Sequence, residues 1–475
     1  MKYFILQLGC QMNISDGERV KSVLQTLGYT QTEHEAEADL LGIIACSVRQ
    51  KAIDKVYSRI HNWNRMKRDR NLLTFLSGCV LPADREKLTD RFDLIFTINE
   101  LPQLPQLIAT YGVVTPQSLR AANYDSSEPL VDTNEAPAIT QRPRLFTPAF
   151  AGPHGVTEDI RDGFWKVEPT RTSDFDAYVP IQNGCDKFCT FCAVPYTRGR
   201  EVSRSSQDIL AEVQDLVARG YKSITLLGQN VNSYGLDKRS AEMSFAQLLD
   251  AVGQVTAGHD VWVYFTSPHP RDMTRDVIET VAAHNTIANQ IHLPIQSGDD
   301  KVLIRMNRNY RVTDYRRVVH DIRELLPEAT LFTDIIVGFS GETDEQFGRT
   351  RAAMEEFAYN MAYIAMYSPR PGAASSRWSD DIPATEKKRR LAELTEVLKR
   401  SAGAANQAMI GRELTVLVDG NDRKPGYLSA RTEGRIPVRL AASPDLQIGR
   451  FARVRIDSAQ PLSLGAVALG VGAAV

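Results

Sequence analysis

The sequence lacks any long apolar run: nowhere in its 475 residues are there the roughly 20 uninterrupted apolar side chains that a membrane-spanning helix needs. The apolar tail LGAVALGVGAAV is too short and too rich in glycine to span. It is expected to form a final strand with a loose end. Net charge is also nearly missing, at -2 from 56 basic and 58 acidic residues. That balance excludes a protein that coats nucleic acid with its whole surface, but it leaves room for a local basic face. Cysteine is scarce, with 6 in the chain. The opening MKYFILQLGCQMN has the lysine, apolar run and Leu8-Gly9-Cys10 of a lipoprotein leader. Gln7 interrupts the run before it reaches the roughly 7–15 apolar residues such a leader requires. The chain is therefore expected to be cytoplasmic, without a membrane segment. That compartment keeps thiols reduced, so six cysteines point to metal binding or catalysis rather than disulfides.

What is present is an alternation of strand and helix signals. Over residues 1–114, YFILQLGC, ADLLGIIAC and LLTFLSGC each precede a helical stretch, and DLIFTI follows as a fourth strand. Strands alternating with helices form a parallel sheet, here flavodoxin-like, and sites in such sheets form at the carboxyl ends of the strands. Cys10, Cys46 and Cys79 each stand at such an end, so they are expected to converge on one edge. Three unrelated buried thiols remain the plainer alternative. Residues 115–176 are irregular and rich in Pro, Ser, Thr and Asn, and read as a linker or insertion. Residues 177–406 hold about six βα units, the pattern of a (β/α)6-type partial barrel with its chemistry on the loops after the strands. Short β-rich segments over 407–475 suit a small β-barrel.

The segment NGCDKFCTFCAVPYTRGRE follows the first strand of the central region and carries Cys185, Cys189 and Cys192 as C-x3-C-x2-C. Structural zinc takes four ligands and a 4Fe-4S cluster is ordinarily held by four cysteines. Here the local count stops at three, and no histidine follows at zinc-finger spacing. Three ligands to a four-iron cluster leave one iron open for a substrate or cofactor.

At these residues the chain resembles the radical S-adenosylmethionine superfamily. GCQMN, CSVRQKA, LLGQNVNSYG, FTSPHPRDM, IHLPIQSGDDKVLIRMNRNY, DIIVGFSGETDEQF and YSPRPGAAS narrow the resemblance to its methylthiotransferases. GCQMN followed by Asp16 and Glu18 is similar to the branch acting on N6-dimethylallyladenosine in tRNA. The resemblance implies two 4Fe-4S clusters and S-adenosyl-L-methionine as cofactors. Cys185, Cys189 and Cys192 would hold the cluster that cleaves S-adenosyl-L-methionine to a 5′-deoxyadenosyl radical. Cys10, Cys46 and Cys79 would hold an auxiliary cluster carrying the sulfur. Such chemistry suits carbon 2 of an adenine, whose proton no side-chain base removes near neutral pH, so the cofactor supplies the reactivity.

The resemblance extends to cofactor contacts at Phe191, Gly228, Gln229, Asn230, Gln296, Ser297, Arg308, Ile336 and Gly338. Gly228 to Asn230 would meet the methionine amino group. His269 and His292 sit at strand ends, where a lone histidine is usually a local hydrogen-bonding residue, and neither is given a catalytic role. The C-terminal barrel resembles the RNA-binding TRAM domain. The chain departs from the family in having Ile44-Ala45 before Cys46 and Val80-Leu81-Pro82 after Cys79, and in its longer linker. The expected partners are a tRNA anticodon stem-loop and a reduced electron donor such as flavodoxin or ferredoxin, with the chain acting as a monomer. Phosphate contacts are expected from the basic runs 49–70, 305–317 and 386–391 and from Arg431, Arg435, Arg439, Arg450, Arg453 and Arg455. Other readings are a methylthiotransferase for threonylcarbamoyl-adenosine or a ribosomal-protein aspartate, and a non-catalytic iron–sulfur protein that binds RNA or senses redox state.

Overall fold

A computed structural model describes residues 1–47, 50–110, 145–146, 163–238 and 241–472. They form two compact units, one of residues 1–172 with 193–200 and one of residues 173–192 with 201–475.

The first unit is built on a parallel sheet. Its strands are β1 (Lys2–Gln7), β2 (Thr30–Gln31), β3 (Leu40–Cys46), β4 (Leu73–Cys79), β5 (Leu94–Ile95) and β6 (Leu145–Phe146). The order β2-β1-β3-β4-β5-β6 is the flavodoxin-like arrangement expected from the alternating signals. Strands β3 and β4 are buried along their whole length because helices cover both faces. Leu40, Ile44, Leu73 and Phe75 face one apolar core with Val20 and Leu24 of the helix Gln11–Thr26. Leu41, Ile43 and Leu76 face the other, with Val56, Ile60 and Trp63 of the helix Gln50–Met66.

Two differences from the sequence reading stand out here. The two-residue strands β2 and β6 fall below what residue alternation reveals. DLIFTI pairs only over Leu94–Ile95, because Thr97 and Glu100 form a capping box that starts a 3-10 turn at Ile98. Of the segment read as a linker, 115–144 and 147–162 lie outside the described residues. Its end is packed into the first unit: Phe164 is buried in the core, and Thr172 donates to the Glu18 carboxylate through N (2.9 Å) and Oγ1 (2.6 Å).

The second unit begins with β7 (Asp176–Pro180) and the short pair β8 (Gln182–Asn183) and β9 (Val202–Ser203). It continues through β10 (Ser223–Leu227), β11 (Trp262–Phe265), β12 (Gln290–His292), β13 (Thr330–Val337) and β14 (Met361–Met366). The parallel sheets β11-β10-β7 and β12-β13-β14 are joined by a parallel bridge between Val263 and Ile287. Six strands thus run in chain order as the expected partial barrel. Ile224, Leu226, Val263, Phe265, Leu331 and Ile335 pack outward on a core shared with the covering helices. The strands' period of two therefore turns Thr225, Tyr264 and Asp334 to the opposite, inner face.

The helix Ala384–Gln407 leads to a closed barrel of β15 (Glu413–Asn421), β16 (Tyr427–Thr432), β17 (Pro437–Ala441), β18 (Phe451–Gln460) and β19 (Ser463–Val471). The last is the strand expected in the apolar tail. The turn between β16 and β17 enters the partial barrel at the start of its strands. Glu433 O accepts from Tyr264 Oη at 2.9 Å, Gly434 O accepts from Thr330 Oγ1 at 2.8 Å, and Arg435 donates to Thr225 Oγ1 at 2.7 Å. The Arg435 guanidinium lies 3.9 Å from the centre of the Tyr264 ring. No helix among the described residues is long and apolar enough to cross a membrane.

Candidate functional site

The first three cysteines converge, and the backbone dictates how. Cys46 and Cys79 are the last residues of β3 and β4 and pair with each other in register. Cys10 caps the helix Gln11–Thr26, just beyond β1. Gly9 adopts φ +135°, and a Cβ there would stand 2.7 Å from the Cys46 Cβ, so glycine is what lets the two strand ends approach. Asn13 ties the group together. Its Nδ2 donates to Leu8 O (2.9 Å) and Ala45 O (2.6 Å), and its Oδ1 accepts from the thiols of Cys10 (3.9 Å) and Cys79 (3.5 Å). Cys46 and Cys79 are buried and Cys10 is exposed. Burial pushes the Cys79 thiol well above its ordinary range. Such a group becomes a thiolate when a metal takes the proton's place.

The second trio sits on the loop after β8. The loop is clamped from the segment 305–308: Thr190 N donates to Met306 O (3.0 Å), Thr190 Oγ1 to Arg305 O (2.8 Å), and Asn307 Nδ2 to Phe188 O (3.0 Å). Cys192 N closes a turn onto Cys189 O at 2.9 Å. Arg308, buried, donates to Cys189 Sγ at 3.4 Å and to Pro294 O at 3.1 Å. Burial opposes its charge, but Tyr310 and Cys189 more than offset that. Burial lifts the Cys185 thiol to about 12. Lys187, between the first two cysteines, forms an ion pair with Asp272, which also accepts from Asn230 Nδ2 at 3.2 Å.

Neither cysteine trio brings its three donor atoms within 4.8 Å of one another; among the described residues only His320, Asp321 and Glu324 do so. A single tetrahedral ion with sulfur ligands at about 2.3 Å would draw them to roughly 3.8 Å. A donor set of three thiols at each site suits an iron–sulfur cluster. His320, Asp321 and Glu324 lie on one helix, and the last two are bonded to Arg275.

The remaining residues named from the sequence surround the second trio to different degrees. Gly228 directly follows β10, and a Cβ there would meet Gln182 Oε1 at 3.0 Å and Val231 Cα at 3.1 Å. Gln182 Oε1, Gln229 Oε1 and Asn230 Oδ1 are buried acceptors without a partner. Leaving such atoms unpaired costs about 1–3 kcal/mol each, so the strand end is shaped for a ligand that donates, as an ammonium group does. Phe191 lies edge-on to Phe339, and Ile336 packs on the same small cluster. Gln296, with φ +68°, bridges Asp334 and Ile336 through its backbone, while Ser297 shares a hydrogen bond with Thr350. Gly338 donates to Glu342 Oε2 at 2.6 Å, next to the Lys387 stem.

His269 is buried, accepts from Arg271 N at 3.2 Å and leaves Nε2 without a partner. Burial, with Arg308, Lys187 and Arg271 near, keeps this imidazole neutral. His292 hydrogen-bonds Asp334 at 3.0 Å.

Two expectations about charge need correction. Arg431 is turned inward onto Asp176 (3.0 Å) and Asp419 (3.4 Å), and Arg435 onto Tyr264 and Thr225. Both hold the small barrel to the partial barrel instead of facing a phosphate. Arg450 and Arg455 are exposed, while Arg439 and Arg453 are paired with Asp422 and Glu413.

A partial βα barrel with C-x3-C-x2-C after its first strand defines a radical S-adenosylmethionine protein. The Radical SAM superfamily matches residues 179–354, the Uncharacterized protein family UPF0004 residues 2–98 and the TRAM domain residues 407–469. The chain is 38% identical over 466 residues to the tRNA-2-methylthio-N(6)-dimethylallyladenosine synthase of Geobacter metallireducens, covering 97% of each chain. It is 38% identical over 463 residues to the synthase of the same name from Symbiobacterium thermophilum, covering 95% of this chain and 91% of that one. A solved structure, the radical S-adenosylmethionine methyltransferase TsrM from Kitasatospora setae, matches 79% of this chain and 74% of its own at 13% identity and TM-score 0.46. The chain belongs to the tRNA-2-methylthio-N(6)-dimethylallyladenosine synthase family. S-adenosylmethionine and iron–sulfur chemistry come with that membership.

Proposed function

We propose that this chain transfers a methylthio group to carbon 2 of N6-dimethylallyladenosine beside the anticodon of tRNA. The observation that carries the reading is near-complete coverage of relatives bearing that name, in a chain whose six cysteines gather in two separate trios. Two 4Fe-4S clusters follow from the two trios: Cys185, Cys189 and Cys192 hold one, and Cys10, Cys46 and Cys79 hold the other. When bound, the first supplies the electron that cleaves S-adenosylmethionine into a hydrogen-abstracting radical, and the second supplies the sulfur.

The protein's own residues bind and orient. Gly228 leaves room at the strand end, and the orphaned acceptors Gln182 Oε1, Gln229 Oε1 and Asn230 Oδ1 receive the donor group of the cofactor's methionine end. Phe191, Gln296, Ser297, Ile336 and Gly338 complete that pocket. Arg308 keeps a fixed positive charge on Cys189. The domains divide as 1–114 for the auxiliary cluster, 115–176 as connection, 177–406 for the radical chemistry and 407–475 for RNA. The exposed Arg450 and Arg455 contact phosphates of an anticodon stem-loop. The chain works as a cytoplasmic monomer fed by a reduced donor such as flavodoxin or ferredoxin.

Tandem mass spectrometry of nucleosides from tRNA of a deletion strain tests the reading. The 2-methylthio form of dimethylallyladenosine should vanish and return on complementation. An unchanged level would overturn it. Loss of the methylthio group from threonylcarbamoyl-adenosine or from a ribosomal-protein aspartate would reassign the substrate.

A further inference from the structure

Arg198 lies six residues after Cys192 in PYTRGRE, yet it belongs to the first unit. It ends the short helix Val194–Arg198 and is 3% exposed. Its Nε donates to Cys79 Sγ at 2.9 Å, and its guanidinium forms an ion pair with Asp16, itself fully buried on the helix Gln11–Thr26. Burial disfavours the charge on Arg198, but the neighbouring Asp16 and Cys79 outweigh it and the group stays cationic. Taking both charges of such a pair out of water is costly, and a well-packed apolar pair often serves stability as well. A charged pair kept at this position therefore calls for a use.

We infer that Arg198 is a positioning residue that sets the electron affinity of the cluster on Cys10, Cys46 and Cys79, with Asp16 aiming it. The inference rests on the two-cluster reading. Reduction potentials of iron–sulfur clusters follow net charge and hydrogen bonds to the sulfurs, and outer contacts of this kind orient and tune the ligands. A cation donating to a ligand sulfur stabilises the more negative, reduced cluster and raises its potential. Asp16 opposes that effect while fixing the guanidinium in place. The two residues therefore act with opposite sign, which a purely structural pair would not do.

The test uses the full chain, anaerobically reconstituted with iron and sulfide, in a Cys185→Ala/Cys189→Ala/Cys192→Ala background so that one cluster is observed. Its midpoint potential is read by an EPR-monitored redox titration. Arg198→Met should shift the potential down and Asp16→Asn should shift it up. Arg198→Lys should recover part of the loss, and the double variant Asp16→Asn/Arg198→Met should fall between the two single ones. If Arg198→Met does not fold, Asp16→Asn, Arg198→Lys and the double variant carry the comparison alone. Equal potentials in all variants that retain iron would overturn the inference. A background protein without iron would instead refute the two-cluster reading, and the inference with it.

Discussion

Cys46 and Cys79 face each other as the last register pair of β3 and β4, so two candidate ligands are spaced by backbone hydrogen bonds. Cys10 is brought to them by Gly9 and Asn13 rather than by the sheet. The site is thus held by the fold on one side and by a few polar contacts on the other.

The division of labour between the trios is open to a direct check. Cys10→Ala should abolish methylthiolation of tRNA while release of 5′-deoxyadenosine continues near its original rate. Cys189→Ala should abolish both. Chromatography of the small-molecule product beside nucleoside mass spectrometry separates the two outcomes.

Asn13 is the residue on which Cys10 depends. Asn13→Ala leaves the carbonyls of Leu8 and Ala45 without the donor they now share. A buried carbonyl stripped of its partner costs about 1–3 kcal/mol. The expected result is a lower unfolding temperature together with loss of iron from the first trio only, read by calorimetry and iron analysis.

At the end of β10 the space is already spent. Gly228→Ala would press a methyl group against Gln182 Oε1 and the Val231 backbone, at 3.0 and 3.1 Å. Overpacking of this kind costs about 1–3 kcal/mol, and the atom displaced is one of the orphaned acceptors. S-adenosylmethionine should bind roughly tenfold or more weakly, with iron content unchanged, as measured by equilibrium dialysis.

Arginines in the last segment should split into two groups. Arg435→Ala removes a cation–π contact and the bond to Thr225, and should destabilise the protein by about 1–3 kcal/mol. Arg455→Ala should leave stability unchanged, weaken tRNA binding and reduce its salt slope by about 1. Melting curves and salt-dependent filter binding distinguish them.

Much of the architecture was legible because it rests on short-range pattern. Strand-length apolar runs ending in cysteine, six βα repeats and an alternating tail each announce themselves locally. What was hidden depends on partners far along the chain. Asn13, Asp16, Glu18 and Arg19 give no sign of their burial in the sequence, since charged residues are almost never fully buried unless paired. All four are buried, and Asp16 and Glu18 find their partners at Arg198 and Thr172. Arg431 and Arg435 misled in the same way, with partners on strands more than 150 residues earlier. The sequence offered one signal for Arg198, its place in PYTRGRE directly after the second cysteine trio.

The central claim is that two independent three-cysteine sites each hold a cluster. Iron and sulfide analysis of two anaerobically reconstituted variants tests it, one with Cys185, Cys189 and Cys192 replaced by alanine and one with Cys10, Cys46 and Cys79 replaced. Each variant should keep about four irons, against about eight in the parent chain. Loss of all iron from either variant, or about four irons in the parent, would contradict the account.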